Sequence, residues 1–367
     1  MIKWEKKHSF EVNKNQYEFW CVNNEGKEKE FKVYVERGKP FDVTSLKKLS
    51  IKEYFKKVAN VSKTRIGLYT DLSNLDYVKY CPVCKSQDSQ QSLEIYKAVY
   101  HQCIYCTHYY VKNRPSEKAL SNFYSKDKEY QKTYADKTAI EVRIKEIALP
   151  KAEWTIEQYF RINGEMPKSI LDVGTGSGHF VEACKRLGIK SDGIEISKTG
   201  LQFAKDNFGI NLFDLDFITD WGKLKKYDIV TCWGIIEHVT NPVDILSTAN
   251  RVLNEEGIVT AGVPRWNSLS TKIQELFPSK IIRHLDPLGH INCFTDSSLG
   301  TSLLKADFDI KAAWYYGMDI YELLYQLALH FEDDNFLEKS SIIISAAQNS
   351  IDTGLLSDSM VFLGQRN

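Results

Sequence analysis

The run Leu171-Asp172-Val173-Gly174-Thr175-Gly176-Ser177-Gly178 does most to limit how this chain can fold. An apolar stretch, Ser169–Val173, leads into it, and an amphipathic helical pattern leaves it. Glycines at alternate positions let a backbone turn sharply and pass close to a ligand with no Cβ in the way. A strand that ends in such a turn and restarts as a helix opens a βαβ unit, the element that builds parallel sheets. From residue 169 onward apolar runs and amphipathic helices alternate, so the expected fold is α/β, a doubly wound sheet covered on both faces. The expected strands are Ser169–Val173, Gly193–Ile196, Ile210–Leu212, Tyr227–Trp233 and Gly257–Val263, with Ser357–Gly364 closing the sheet.

A nucleotide on such a sheet sits over the carboxyl ends of the strands, where the strand order reverses. Glu195 ends the second strand, placed to accept hydrogen bonds from ribose hydroxyls. A dinucleotide site asks for G-x-G-x-x-G, and His179 stands where the third glycine would be. The pattern here is G-x-G-x-G, which argues against NAD.

Two C-x-x-C pairs form a second feature, Cys81-Pro82-Val83-Cys84 and Cys103-Ile104-Tyr105-Cys106, separated by 18 residues. Zinc takes four thiolates in a tetrahedron at about 2.3 Å, and each C-x-x-C turn offers two. Leu93, Ile95 and Val99 between the pairs are strand-like, so the block reads as a zinc ribbon over 79–112. His101 and His108 are near enough to replace a ligand, but four sulfurs already close the shell. A closed shell leaves no open position, so the Zn2+ is expected to be structural.

The chain has 367 residues, too many for one ordinary domain. Net charge is zero, yet residues 1–80 carry 17 Lys+Arg against 11 Asp+Glu. That falls short of a nucleic-acid footprint. The first residues, MIKWEKKHSF, lack the apolar run of a signal peptide, and no stretch is apolar enough to span a membrane. Paired cysteines of metal-site spacing suit a reducing compartment, so a cytoplasmic location without membrane insertion is expected. Residues 1–78 read as a small α+β module, with alternating strands over 8–36, a hairpin signal at Asn23–Gly26 and a helix near Ser50–Ala59. Residues 113–165 read as a helical connector, with Trp154, Ile156, Tyr159 and Phe160 spaced for one apolar face. The remaining domain is 166–367.

In that last domain the sequence resembles the class I S-adenosylmethionine (SAM)-dependent methyltransferases. LDVGTGSG is similar to their first motif, GIEIS (193–197) to the acidic-ended second strand, and Asp216-Phe217 to the pair that brackets adenine. YDIVTCWGIIEHVTNP (227–242) resembles the fourth strand and its loop, and RVLNEEGIVTAGVP (251–264) the helix and fifth strand. CPVCKS, the second C-x-x-C and NRPSEKALSNFYS (113–125) resemble zinc-ribbon methyltransferases of bacterial polysaccharide and natural-product clusters, although Lys85 replaces a usual glycine. The resemblance implies a Rossmann-like fold in which Gly174 and Gly176 approach the cofactor S-adenosyl-L-methionine and Asp172 shapes the loop. It further implies that Glu195 holds the ribose, Asp216 and Phe217 the adenine, and that Trp233 lies beside them.

Candidate bases or substrate contacts are His290, His238 and His284 in the loops after the fourth and fifth strands. Glu237, His238 and His290 could instead hold a divalent cation, but Gly234 and Ile235 occupy the turn where such sites add an acid. Arg265, Trp266 and Asn267 follow the fifth strand, where a guanidinium could clamp a phosphate and an indole could stack on a sugar. The expected activity is methyl transfer to a small-molecule acceptor, foremost O-methylation of a sugar or nucleotide-sugar. The alternatives are an RNA methyltransferase using the ribbon, against which stand only four Lys and no Arg in 79–112, and a non-catalytic partner-binding protein.

Overall fold

The computed structural model describes residues 2–7, 15–24, 26–39, 63, 66–116, 118–119, 139–277, 285–333 and 335–367. The helix expected near Ser50–Ala59 and most of the segment 113–138 lie outside the described residues.

Three strands open the chain: β1 (Ile2–Lys7), β2 (Asn15–Asn24) and β3 (Lys27–Arg37). The hairpin signal is real: Asn24 pairs with Lys27, Gly26 takes φ 84°, and the Asn23 side chain accepts from the Gly26 amide. A short β4 (Leu75–Tyr77) precedes the ribbon strands β5 (Ser89–Ile95), β6 (Ala98–Cys103) and β7 (Tyr109–Val111), and β8 (Asn113–Pro115) follows them. Helix α1 (Leu149–Asn163) ends at Gly164, whose φ of 75° suits a left-handed cap. It buries Trp154, Ile156 and Tyr159, as its spacing predicts, but Phe160 is half exposed.

The remaining elements alternate: β9 (Ser169–Val173), α2 (His179–Arg186), β10 (Lys190–Ile194), α3 (Lys198–Phe208), β11 (Tyr227–Trp233), α4 (Pro242–Val252), β12 (Leu253–Pro264) and α5 (Leu269–Leu276). Then come β13 (Asn292–Cys293), α6 (Asp296–Lys305), β14 (Phe308–Tyr316), α7 (Asp319–Phe331), α8 (Ser341–Thr353) and β15 (Ser359–Arg366). The main sheet has the order β1-β2-β3-β14-β15-β12-β11-β9-β10. Strands β10, β9, β11 and β12 are mutually parallel, and β15 runs antiparallel beside β12. The order reverses between β9 and β11, so the ligand crevice of this fold opens at their carboxyl ends.

Both faces are covered. Ile170, Ile229, Ile258 and Leu363 pack under α1 and α2, while Val173, Val230, Val259 and Phe362 pack under α4 and α6. This alternation along each strand is the period of two that a doubly covered sheet needs.

Several expectations change. Ile210–Leu212 forms no strand; only Phe213 bridges to Ile194. Strand β14 is additional to the expected strands; its burial alternates only over Phe308–Lys311 and is continuous over Ala312–Tyr315. The first three strands do not form a layer of their own, because β3 pairs in parallel with β14 and extends the main sheet. The ribbon likewise extends beyond residue 112, since Asn292 and Cys293 add β13 to it in the order β13-β7-β6-β5. No helix among the described residues is long and apolar enough to cross a membrane.

Candidate functional site

The four ribbon cysteines converge. Sγ of Cys81 lies 3.6 Å from that of Cys106, and Sγ of Cys84 lies 3.4 Å from that of Cys103. All four sulfurs fall within 4.8 Å of one another. A tetrahedron with 2.3 Å bonds has edges of about 3.8 Å, so the four thiols have the spacing one zinc ion requires. Each turn is closed by a backbone bond, Lys85 N to Cys81 O and Thr107 N to Cys103 O. Both closing residues are left-handed, Lys85 at φ 63° and Thr107 at φ 58°, which explains why glycine suits position 85. The eight cysteines are all free thiols. Neither nearby histidine joins the sulfurs: His101 bonds Ser89, and His108 bonds Asn292 and Ser298.

The glycine loop follows β9 with Gly174, Gly176 and Gly178 all at positive φ. A Cβ on Gly174 would lie 2.1 Å from Ile235 Cδ1, whereas one on Gly176 would meet nothing within 4 Å. Gly174 therefore seats the loop against the turn after β11, and Gly176 borders open space. Glu195 reaches this loop: its carboxylate accepts from Gly176 N and Ser197 N, each at 2.7 Å. Asp172 is fully buried and accepts from the Thr231 hydroxyl at 2.6 Å, and burial pushes its carboxyl up to about 6.

The adenine pair divides. Asp216 caps a one-turn helix, accepting from Ile218 N and Thr219 N, while Phe217 is buried in the main core. Phe217 thus has no free face for a base, a correction that its apolar surroundings explain. The Trp233 indole packs on Phe180, against the Cα of Gly262 and beneath Lys151, whose ammonium sits 4.6 Å from the ring.

Glu237, His238 and His290 meet at the end of β11, with one ligand atom from each within 4.8 Å of the others. Glu237 is 2 % exposed and its Oε2 has no hydrogen-bond partner. Burial raises its carboxyl above the usual range, with neighbouring His238 acting in the opposite direction. His238 Nδ1 lies 2.8 Å from the Gly289 carbonyl. A carbonyl only accepts, so Nδ1 carries a proton, and in the neutral ring it is Nε2 that keeps the lone pair. That Nε2 is 3.9 Å from Glu237 Oε1, and the two imidazole centroids are 4.9 Å apart. The sequence reading gave Glu237 no role beyond a metal alternative; its orphaned buried oxygen is visible only in three dimensions. His284 lies outside the described residues.

The segment after β12 is corrected in two of its three residues. Arg265 is 7 % exposed and committed internally, to Asp296 at 2.8 and 2.9 Å and to the carbonyls of Asn267 and Leu355. Trp266 is buried in the ribbon core, stacked on Tyr109 at 4.0 Å and tilted against Tyr100. Such aromatic pairs are worth about 0.5–1.5 kcal/mol beyond area burial. Trp266 therefore joins the ribbon to the main sheet, while Arg265 ties the end of β12 to α6, and neither presents its side chain to a ligand. Asn267 is exposed and lines a cavity of about 160 Å³ with Trp4, Trp20, Thr107, Thr295, Asp296 and Ser297.

Against known proteins, residues 152–313 match the family model described as a methyltransferase domain. These residues are a methyltransferase domain. The domain is 29% identical over 109 residues to the ubiquinone biosynthesis O-methyltransferase of Actinobacillus pleuropneumoniae serotype 5b, covering 27% of this chain and 47% of that protein. It is 33% identical over 115 residues to the ribosomal protein L11 methyltransferase of Staphylococcus carnosus, covering 29% of this chain and 35% of that protein. The chain spans about half the length of the ubiquinone methyltransferases it matches, 46–47% in the first three. Among solved structures, a plantazolicin methyltransferase in complex with SAH aligns at TM-score 0.43 with 18% identity, over 68% of this chain and 94% of that one. The methyltransferase domain begins inside α1, so the cysteine ribbon and β1–β3 lie outside the match.

Proposed function

We propose that the chain is a SAM-dependent methyltransferase that methylates a hydroxyl of a small acceptor, foremost a sugar or nucleotide-sugar, and carries a structural zinc in its ribbon. The observation that carries this reading is the positive-φ loop Gly174–Gly178 at the sheet's switch point, with Glu195 bonded to it and open space in front of Gly176. The methyltransferase-domain match over the same strands supports it. The acceptor class is carried over from the sequence resemblance; the cavity beside Asn267, lined by half-buried Trp4 and by Thr107, Thr295 and Ser297, is a place where a polar acceptor could sit.

When bound, the cofactor supplies an electrophilic methyl on a sulfonium, transferred in line to the acceptor oxygen with release of S-adenosylhomocysteine (SAH). Gly176 leaves room for it, Gly174 seats the loop against Ile235, and Glu195 is the acceptor of hydrogen bonds from its ribose. The loop residues hold the acceptor oxygen in line, which is the main contribution an enzyme makes to a displacement. His238 is placed ahead of His290 as base, because the Gly289 carbonyl fixes its Nδ1–H tautomer and leaves Nε2 ready for the hydroxyl proton. Both histidines then have roles, His238 taking the proton and His290 contacting the acceptor. A second reading is favoured by the orphaned Glu237 oxygen: Glu237, His238 and His290 hold a divalent cation that orients the acceptor.

The test is SAH release with a panel of sugars and nucleotide-sugars. His238→Ala is expected to lower turnover about 10²–10⁴-fold, the range of a lost general base. Turnover of RNA or a ribosomal protein, with none of any sugar, would replace the acceptor reading. Loss of activity with a chelator that leaves the ribbon zinc in place would favour the cation.

A further inference from the structure

The cysteine ribbon meets the candidate catalytic loop at an exposed contact, Lys85 to Asn241 at 3.2 Å, and at one buried polar junction among the described residues. Asn292 is 1 % exposed and belongs to two elements at once: its backbone forms β13 beside β7 of the ribbon, and its side chain enters the loop after β11. Asn292 Nδ2 donates to the carbonyls of Val239 at 2.7 Å and Ile236 at 3.4 Å, and its backbone N–H donates to Glu237 O at 3.1 Å. Three carbonyls of the loop that carries Glu237 and His238 therefore converge on one residue. His290 lies two residues before it in the chain.

What holds Asn292 in this orientation is His108, two residues beyond Cys106 and fully buried. His108 Nε2 lies 3.1 Å from Asn292 Oδ1, and its Nδ1 lies 3.3 Å from Ser298 Oγ at the start of α6. With both Asn292 amide hydrogens donated to carbonyls, Oδ1 must accept, so His108 Nε2 must donate. The backbone of His108 in turn closes the second cysteine turn, since Cys103 N donates to His108 O at 2.8 Å. An unbroken path of buried hydrogen bonds thus runs from the cysteine turn through His108 and Asn292 to the loop.

We infer that His108 is a positioning residue, and that the ribbon acts in catalysis by fixing, through the His108–Asn292 bond, the loop that aims Glu237 and His238. The inference rests on the proposed methyl transfer for its purpose, but its geometry stands apart from the cofactor. A ribbon that only folded beside the domain would need no buried donor aimed at that loop; apolar contacts such as Tyr109 on Trp266 would suffice. Outer partners of this kind hold working groups in register, and their loss ordinarily costs about 10–100-fold in activity.

The full zinc-loaded chain is used, with imidazole ¹⁵N spectra near about pH 8, where unperturbed rings are neutral. Wild type is expected to show His238 in the Nδ1–H form imposed by Gly289. His108→Phe keeps an aromatic ring beside Phe294 but removes the donor; His238 is expected to relax toward the Nε2–H form that a free imidazole favours. His108→Gln restores a donor near the Nε2 position and is expected to restore the signature. Asn292→Asp cannot donate to Val239 O and is expected to match His108→Phe, so it serves as the second variant should the first fail to fold. Zinc content should stay at one per chain, and SAH affinity should hold within about twofold, because no cofactor residue shares these bonds. An unchanged His238 signal in His108→Phe and Asn292→Asp overturns the inference. So does failure of His108→Gln to rescue, or loss of zinc or fold in both disrupting variants, either of which makes the pair a packing element alone. A wild-type chain that binds no SAH sinks the proposed function instead, and the tautomer result still decides the brace.

Discussion

Gly174 and Gly176 stand two residues apart in the same backbone conformation, yet alanine at each should fail in a different way. Both sit near φ +60°, at 66° and 60°, so either alanine costs roughly 1–2 kcal/mol of left-handed strain. At 174 the new methyl would also lie 2.1 Å from Ile235 Cδ1 and 3.3 Å from its Cγ1. Relieving that overlap displaces the turn after β11 and adds about 1–3 kcal/mol. Gly174→Ala should thus lose about 2–5 kcal/mol, a melting shift of roughly 5–15 °C at the usual few degrees per kcal/mol. Ile235→Val removes the clashing Cδ1, so the double variant should recover about 1–2 kcal/mol of coupling. At 176 no protein atom lies within 4 Å, so stability should fall by the strain alone. The methyl there projects into the space assigned to the cofactor, and SAH affinity should fall tenfold or more, about 1.4 kcal/mol. Thermal melting and SAH calorimetry on wild type, the three single variants and the double variant separate these effects. Gly176→Ala that binds SAH as tightly as wild type would refute the reasoning, as would a Gly174→Ala chain no less stable than Gly176→Ala.

Other consequences can be measured on the same preparation. One zinc per chain is expected by metal analysis, and Cys103→Ser should lose it and unfold the ribbon, since binding and folding are coupled at such sites; a metal-free protein with four titratable thiols would contradict this. Glu195→Ala should weaken SAH binding by about 1.5–3 kcal/mol and also lower the melting temperature, because the carboxylate bonds the loop amides of Gly176 and Ser197. Burial pushes the Asp352 carboxyl up to about 6 from an ordinary 3.8, so the folded state holds its proton more tightly than the unfolded one. Its ionisation therefore opposes folding fully above about pH 6, and stability should rise as pH falls from about 6 toward 4, by up to about 3 kcal/mol for this group. Asp352→Asn can still accept from Gln348 and Ser357. It should flatten that slope and raise the pH 7 melting temperature; an unaltered slope would contradict the assignment.

Much of the domain's architecture was legible because its signals are local. The glycine loop, the apolar runs of β9, β11 and β12 and the C-x-x-C turns each write their geometry into a few adjacent residues. Interactions between distant segments were not legible. Arg265 reads as a phosphate clamp until Asp296, 31 residues later, takes its guanidinium. Trp266 reads as a stacking platform until the ribbon's Tyr109 covers it at 4.0 Å. Phe217 reads as half of an adenine clamp, but one turn of helix capped by Asp216 rotates it into the core. The joining of β3 to β14 pairs residues 278 positions apart, as Tyr34 with Ala312, and that of β13 to β7 pairs Tyr110 with Asn292, 182 apart; no periodicity announces either. Asn292 carried no signal, and His108 reads in sequence only as a spare zinc ligand, since a buried amide and imidazole look there like any loop residue.

The central claim is that the loop Gly174–Gly178 with Glu195 holds S-adenosylmethionine. Calorimetric titration of the purified full chain with SAH and, separately, with NAD tests it most directly. The account predicts one SAH site per chain, abolished or strongly weakened in Gly176→Ala, and no heat from NAD. Binding of NAD, or the absence of any SAH binding by a folded, zinc-loaded chain, would contradict it.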